Sequence, residues 1–280
     1  MAFGLSKRKA CELVNLSRST EGYRFKRVPD VALIEKIKTI ASERPRFGYR
    51  RISLMVNLSG QLVNHKRIYR IYRELNLAVR KRGRQKYFWG RKTPKELPIA
   101  PNIRWSMDFT SDGLSDGGKF RTLNIIDDCT RECVEIEVAR NLPSASVISI
   151  LNRLSWTRGL PKEIVVDNGP EFTSKKMIKW ACNNGVNLHF IEPGKPIQNA
   201  LVESFNGRFR DECLNAYWFT TLNDAKEIIS DWKRDYNENR PHSSLNNMTP
   251  EQFRKYIEER IAKQGEKISS IGNADLANVS

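Results

Sequence analysis

The 280-residue chain has no run of 18 apolar residues, so no segment reads as a membrane-spanning helix. Residues 1–11 hold no apolar stretch of signal-peptide length. Cysteine is scarce and odd in number: Cys11, Cys129, Cys133, Cys182 and Cys213 lie scattered. Cys129 and Cys133 lack a second Cys/His pair at zinc spacing. All five therefore read as reduced thiols of a cytoplasmic protein without a structural metal. Histidine is scarcer still, with His65, His189 and His242 far apart. His242 follows a proline in "NRPHSSL" and reads as structural. Repeats, heptads and low-complexity tracts are missing as well.

What the chain has in excess is positive charge, and most of it lies at one end. Residues 1–100 carry 25 Lys+Arg against 7 Asp+Glu, whereas the remainder carries 23 against 25. A local excess of that size attracts polyanions, nucleic acid first among them. No strongly amphipathic helix points to a membrane surface instead.

The basic third is patterned as helices. "VALIEKIKTIASER" (31–44) places Val31, Ile34, Ile37 and Ala41 at helical spacing. "RFGYRRISLMVNLSGQLVNHKRIYRIYRELNL" (46–77) reads as helix, turn, helix, with Gly60 at the turn and Asn64 as N-cap. In the second of these helices Ile68, Ile71, Tyr72 and Leu75 form an apolar back. Lys66, Arg70 and Arg73 share the opposite face, with Arg67 beside them. An apolar back with a cationic front suits a recognition helix in the major groove. Domain 1–79 is accordingly expected to be an all-α DNA-binding unit. Residues 80–101 are expected to be a basic linker. "RKRGRQKYFWGRK" sets seven Lys/Arg around Tyr87, Phe88 and Trp89, and three prolines follow.

From Ile103 the period changes to two. Ile103, Trp105, Met107 and Phe109 alternate with Arg104, Ser106, Asp108 and Thr110. "RTLNIIDDCT" and "CVEIEVAR" read as further strands, the latter with Val134, Ile136 and Val138 inward. A helix is expected from Ser144 to about Arg158. "EIVV" is a buried strand ending in Asp167, and a helix over 174–183, a short strand "NLHFI" and a helix over roughly 199–217 follow. Three antiparallel strands, a crossover helix and a parallel strand make an α/β fold with a mixed five-stranded sheet. This α/β unit is expected to span 102–218. A helical region, 219–280, includes a helix over 222–236 and a capped start at Thr249-Pro250-Glu251-Gln252.

Three acids stand out. Asp108 lies on the polar face of the first core strand, and Asp167 ends the strand expected beside it. In "NALVESFNGRFRDE", Leu201, Phe205, Phe209 and Cys213 repeat every four residues, while Glu203, Asn206 and Gly207 lie on another face. Gly207 inside a helix costs about 1 kcal/mol relative to alanine, which suggests a close approach there. Gathered carboxylates repel and take up protons unless a cation neutralises them. Their hard oxygens suit Mg²⁺ or Mn²⁺. Two such ions clamp the attacking and leaving oxygens of a phosphoryl displacement. Competing acids are Asp127 and Asp128 at a strand end, with Asp128 the stronger, and Asp112 and Asp116 in a Gly-rich turn.

At these residues the chain resembles a known family. "SMDFT", "VVDNGPEF" and "GKPIQNALVESFNGRFRDECLN", with 35 residues between the second Asp and the Glu, are similar to the DDE signature of integrase-type polynucleotidyl transferases of the RNase H-like fold. The N-terminal helix-turn-helix segment and "YNENRPHSSLNNMTPEQF" narrow the resemblance to bacterial insertion-sequence transposases, specifically the long downstream product of two-frame elements. The resemblance covers roughly residues 5–260. It implies that Asp108, Asp167 and Glu203 are the catalytic, metal-binding triad and that Arg210 lies near the DNA end; Arg208 joins it in the expected DNA-contacting set. It also implies nicking at the element's end to free a 3′-hydroxyl, then attack of that hydroxyl on target DNA, with no covalent protein–DNA intermediate. The expected partners are element terminal repeats, target DNA, the upstream reading-frame product or a fusion with it, and further copies on DNA in the bacterial nucleoid. A nuclease on the same fold and a non-enzymatic DNA binder using residues 1–92 are the alternatives.

Overall fold

The computed structural model describes residues 4–23, 30–79, 97–192 and 199–277, with side chains through residue 263 in the last helix. Most of the expected basic linker, including Tyr87, Phe88 and Trp89, and residues 193–198 of the loop before the Glu203 helix lie outside the described residues.

Two short helices, α1 (Lys7–Leu13) and α2 (Arg18–Glu21), precede a three-helix unit of α3 (Val31–Glu43), α4 (Tyr49–Leu58) and α5 (His65–Glu74). Its core joins Leu33, Ile37 and Ile40 to Ile52, Val56, Ile68, Ile71 and Tyr72. The buried stripe of α3 is thus set one phase away from the one expected: Val31 is exposed, and Ile34 and Ala41 only flank the core. Both stripes fit a 3.6-residue period, and packing against α4 and α5 chooses between them. Asn64 caps α5 by accepting from the Lys66 N–H at 2.9 Å, and Gly60 takes φ +90° in the turn.

The core is a five-stranded sheet of β1 (Arg104–Gly113), β2 (Lys119–Asp127), β3 (Cys133–Ala139), β4 (Glu163–Val166) and β5 (Asn187–Phe190), in the order β3-β2-β1-β4-β5. The first three strands are antiparallel, and β4 and β5 run parallel to β1. On one face, α6 (Ser144–Thr157), α7 (Pro170–Thr173) and α8 (Lys175–Asn183) bury Trp105, Met107, Ile164 and Val166 under Val147, Leu151, Phe172 and Met177. Fully burying each such side chain contributes about 1.5–3 kcal/mol. The other face carries α9 (Ala200–Phe209), a π-helical turn (Arg210–Leu214) and α10 (Leu222–Glu238) over Phe120, Ile136 and Val138. The tail closes with a 3₁₀ turn (Ser243–Leu245) and α11 (Pro250–Ala277). Thr249 and Gln252 exchange bonds at 3.1 and 3.2 Å, the expected capping box.

Two details differ from the pattern reading. Val134 joins the α6 side while Ile136 and Val138 join the α9 side. Register shifts between Ile125 and Ile126, which pair with Glu135 and Cys133, so Val134 is the extra residue of a bulge. The buried stripe of α9 begins at Val202 rather than Leu201. The polar face of β1 is also covered: Arg104 and Ser106 both donate to Asp128, each at 2.6 Å, beneath the second layer.

Candidate active site

β1 and β4 set the first two acids. Ser106 pairs with Val165 in the parallel ladder, and Asp108 and Asp167 each lie two residues beyond that pair. Asp108 is half-buried. Its Oδ1 accepts from the Phe109 N–H at 2.8 Å and its Oδ2 from Asn206 Nδ2 at 2.7 Å. Asn206 belongs to α9, three residues after Glu203, so this bond ties the β1 acid to the helix that carries the third one. Behind it, Asn124 of β2 donates to Asn206 Oδ1 at 2.7 Å and to Thr110 Oγ1 at 3.1 Å. Asn124 is fully buried. This Asn124–Asn206–Asp108 ladder escaped the reading of the residues. Its one sequence signal is a lone asparagine inside the apolar run of "TLNII".

Asp167 is half-buried where β4 turns into α7. Its Oδ1 accepts from the Gly169 N–H at 2.9 Å. A Cβ at Gly169 would sit 2.9 Å from that oxygen and 3.2 Å from Glu171 Oε2, so any larger residue there would push the two carboxylate ends aside. Glu171 is taken up by Arg121 at 2.6 Å, whose guanidinium stacks 4.3 Å over Phe109. Glu203 is exposed on α9, and a Cβ at Gly207, one turn on, would meet nothing within 4 Å. Among the described residues, nothing closes over Gly207 and Glu203 is exposed.

Burial pushes the Asp108 carboxyl up to about 6; the Phe109 and Asn206 bonds oppose the rise, while the charges of Asp167 and then Glu203 add to it. The charges of Asp167 and Glu203 thus reach Asp108. Among the described residues, no three His, Cys, Asp or Glu side chains are gathered closely enough to hold an ion as they stand. The donor set nevertheless suits a hard divalent cation: three carboxylates, one of them partly desolvated and repelled by its neighbours, are what such a cation neutralises. The repulsion gives a test. A raised carboxyl contributes stability present below its unfolded value and lost as pH rises through about 6. In metal-free protein, Asp108→Asn should gain about 1 kcal/mol over wild type between pH 4.5 and 7.5, after allowance for solvent screening. Melts at the two pH values measure it, and a constant offset would refute the shared-charge description.

The competing acids are engaged elsewhere. Asp127 accepts from the N–H groups of Asn102, Cys129 and Thr130, and Asp128 is bound by Arg104 and Ser106. Asp116 accepts from the Gly118 N–H in the turn, whereas Asp112, expected in that turn, lies at the end of β1 opposite Phe120 and accepts from the Gly113 N–H. Of the expected DNA-contacting residues, Lys66, Arg67 and Arg73 are exposed on α5 and Arg70 is half-buried. Arg67 pairs with Asp30 at 2.7 Å and Arg70 reaches Glu74 at 3.6 Å. Arg210 is exposed at the start of the π turn, where it donates to the Ser111 carbonyl at 3.3 Å. Arg208 is half-buried, and its charge acts on Arg131, Tyr236 and His242.

The integrase core domain family matches residues 98–196, a second integrase core domain family matches 184–250, and the HTH-like domain family matches 29–85. The chain is 48% identical over 252 residues to the insertion element IS407 uncharacterized 31.7 kDa protein of Burkholderia multivorans, covering 89% of this chain and 90% of that one. It is 24% identical over 256 residues to the putative transposase InsK for insertion sequence element IS150 of Escherichia coli, covering 85% and 90%. Among solved structures, a chain of the simian T-cell lymphotropic virus intasome in complex with PP2A regulatory subunit B56 gamma aligns with a TM-score of 0.51 at 17% identity, over 78% of this chain and 74% of that chain. That last likeness is one of fold.

Proposed function

Because the chain belongs to the bacterial insertion-element transposases with an integrase core, we propose that Asp108, Asp167 and Glu203 are the metal-holding carboxylates of its DNA strand-transfer centre. The protein is a DNA transposase, a polynucleotidyl transferase. The observation that carries the site assignment is geometric: parallel β1 and β4 set Asp108 and Asp167 each two residues beyond the Ser106–Val165 pair, and Asn206, three residues after Glu203 on α9, donates to Asp108 Oδ2. A pair of Mg²⁺ or Mn²⁺ ions held there would neutralise the scissile phosphate and acidify the attacking hydroxyl. The chain's own residues do the rest. Phe109 N–H and Asn206 hold the Asp108 carboxylate in one rotamer, and Gly169 keeps Asp167 clear at the turn. Exposed Glu203 brings its charge from the open side, where the bare Gly207 leaves room for a DNA backbone. Arg210, seven residues after Glu203, supplies a cation at the edge of that face.

We divide the chain at 1–79, 80–101, 102–218 and 219–280, with the first unit reading the element's terminal repeats. Target DNA, further copies of the chain and an upstream reading-frame product complete the assembly on the nucleoid. Among the described residues no helix is long and apolar enough to cross a membrane. The decisive experiment incubates the chain with Mg²⁺ and an oligonucleotide bearing its element's terminal repeat. Strand joining supports the reading, cutting alone indicates a nuclease, and a bare gel shift indicates a binder.

The α5 assignment has its own test. Its apolar residues Ile68, Ile71 and Tyr72 are buried, which turns the cationic face outward. Replacing Arg70 and Arg73 with alanine should weaken terminal-repeat binding and flatten its salt dependence by up to about two units of slope. An unchanged slope removes α5 from the DNA interface.

A further inference from the structure

Four arginines from four segments lie near enough to act on one another or on His242. They are Arg51 of α4, Arg131 in the β2–β3 turn, Arg208 of α9 and Arg240 just after α10. Arg240 is 2% exposed and donates through Nε and Nη2 to Glu212 at 2.8 and 2.5 Å. Arg51 reaches the same carboxylate at 3.6 Å. Arg240 also stacks over Tyr236 at 5.6 Å, and the Tyr236 hydroxyl donates to the Arg131 carbonyl at 3.3 Å. Against the same ring, at 4.9 Å and edge-on, stands His242, 5% exposed.

One carboxylate is too little for this set. Glu212 is shared by Arg240 and Arg51, and the next acid, Asp128, is bound by Arg104 and Ser106. Among the described residues, the side chains of Arg131 and Arg208 have no hydrogen bond or ion pair. Arg131 Nη1 and His242 Nε2 are buried without a partner. Burial, and then the nearby arginine charges, lower Arg51 to about 10 and hold His242 near 2, so the imidazole is neutral. Like charges kept together and partly out of water cost stability, and arginine forks are the side chains best matched to a phosphate. Arg131, Arg208 and Arg51 all remain partly exposed, so an anion can reach them.

We propose that Arg131 and Arg208, backed by Arg51, Arg240 and His242, form a phosphate-binding site that takes a backbone phosphate of DNA away from the catalytic acids. Only the source of the phosphate rests on the transposase reading. The site draws on the helix-turn-helix unit, the core and the tail at once, so a phosphate seated there fastens the three together.

Two measurements on the full chain test this. The first compares melting in chloride and in inorganic phosphate at matched ionic strength. The second follows the salt dependence of binding to a duplex. Wild type should melt about 2–4 °C higher in phosphate. The double variant Arg131→Gln, Arg208→Gln should lose that response and melt close to wild type in chloride, since the attraction between Arg131 and Asp128 that it gives up is set against the repulsion it sheds between the two arginines. Its duplex affinity should fall roughly tenfold near 0.1 M salt, with a slope shallower by about one. Arg208→Lys keeps the charge, so it should keep the slope while losing part of the phosphate response. A phosphate response with an unchanged DNA slope assigns the site to free phosphate. A double variant that keeps the phosphate response, or that melts well below wild type in chloride, overturns the site. If wild type fails to bind DNA at all, the transposase reading fails, and the melting comparison still decides the phosphate site.

Discussion

Asp167→Asn should reduce strand joining by at least about a thousandfold, roughly 4 kcal/mol of transition-state stabilisation, while terminal-repeat binding stays within a few fold. The substitution is chosen for its small footprint. Asp167 makes one backbone bond, from the Gly169 N–H to Oδ1, and the asparagine carbonyl accepts the same bond in the same turn. Gly169 leaves room for either side chain, and the buried strand Ile164–Val166 is untouched. What changes is the charge and one ligand oxygen. Joining is measured with Mg²⁺ on an oligonucleotide carrying the terminal repeat, and binding by gel shift. A large loss of binding would make Asp167 a structural turn residue. Joining that survives would remove it from the site and reopen the choice among the chain's other acids.

The strands, their order of appearance and the spacing of the three acids were legible because they rest on local periodicity and turn chemistry. Period two over 103–110, an uninterrupted "IVV" before Asp-Asn-Gly-Pro, and the Thr249–Gln252 cap each leave a direct mark in the residues. The misplacements share a physical origin. Val31 against Leu33 and Leu201 against Val202 are choices between apolar residues one or two positions apart, which only the packing partner decides. Val134 lies across a bulge, and a bulge belongs to a pair of strands rather than to either one. The Asn124–Asn206–Asp108 ladder links residues 82 and 98 positions apart, so nothing within one element could announce it. Arg208 sits only two residues before Arg210, yet its surroundings come from Arg131, Tyr236 and His242. A helix face reveals which residues travel together and not what the tail lays over them.

That tail makes the second large prediction, because one arginine of the basic cluster has a different energetic standing from its neighbours. Arg240→Met should lower the unfolding free energy by about 3 kcal/mol, read as a fall in the urea midpoint, whereas Arg131→Gln should leave it within about 0.5 kcal/mol. Arg240 is buried, bidentate on Glu212 and stacked on Tyr236 and, at 5.9 Å, on Phe47. Removing its charge leaves Glu212 half-buried with, among the described residues, only Arg51, 3.6 Å away, to compensate. It also strips Phe47, the residue by which the α3–α4 corner reaches the core, of one of three guanidiniums packed around it. The contacts of Arg44 with Asp235 and of Arg46 with Asp211 remain, so the helix-turn-helix unit stays tethered by its more exposed pairs. Its loss of packing should show as a broadened transition in calorimetry. Arg131 offers no comparable contact: among the described residues its guanidinium makes no hydrogen bond or ion pair, and the attraction of the Asp128 charge is set against repulsion from Arg208. Equal costs for the two substitutions would mean that burial area alone governs this junction. The contrast between Glu212's partner and the cations left without one would then carry no energetic meaning.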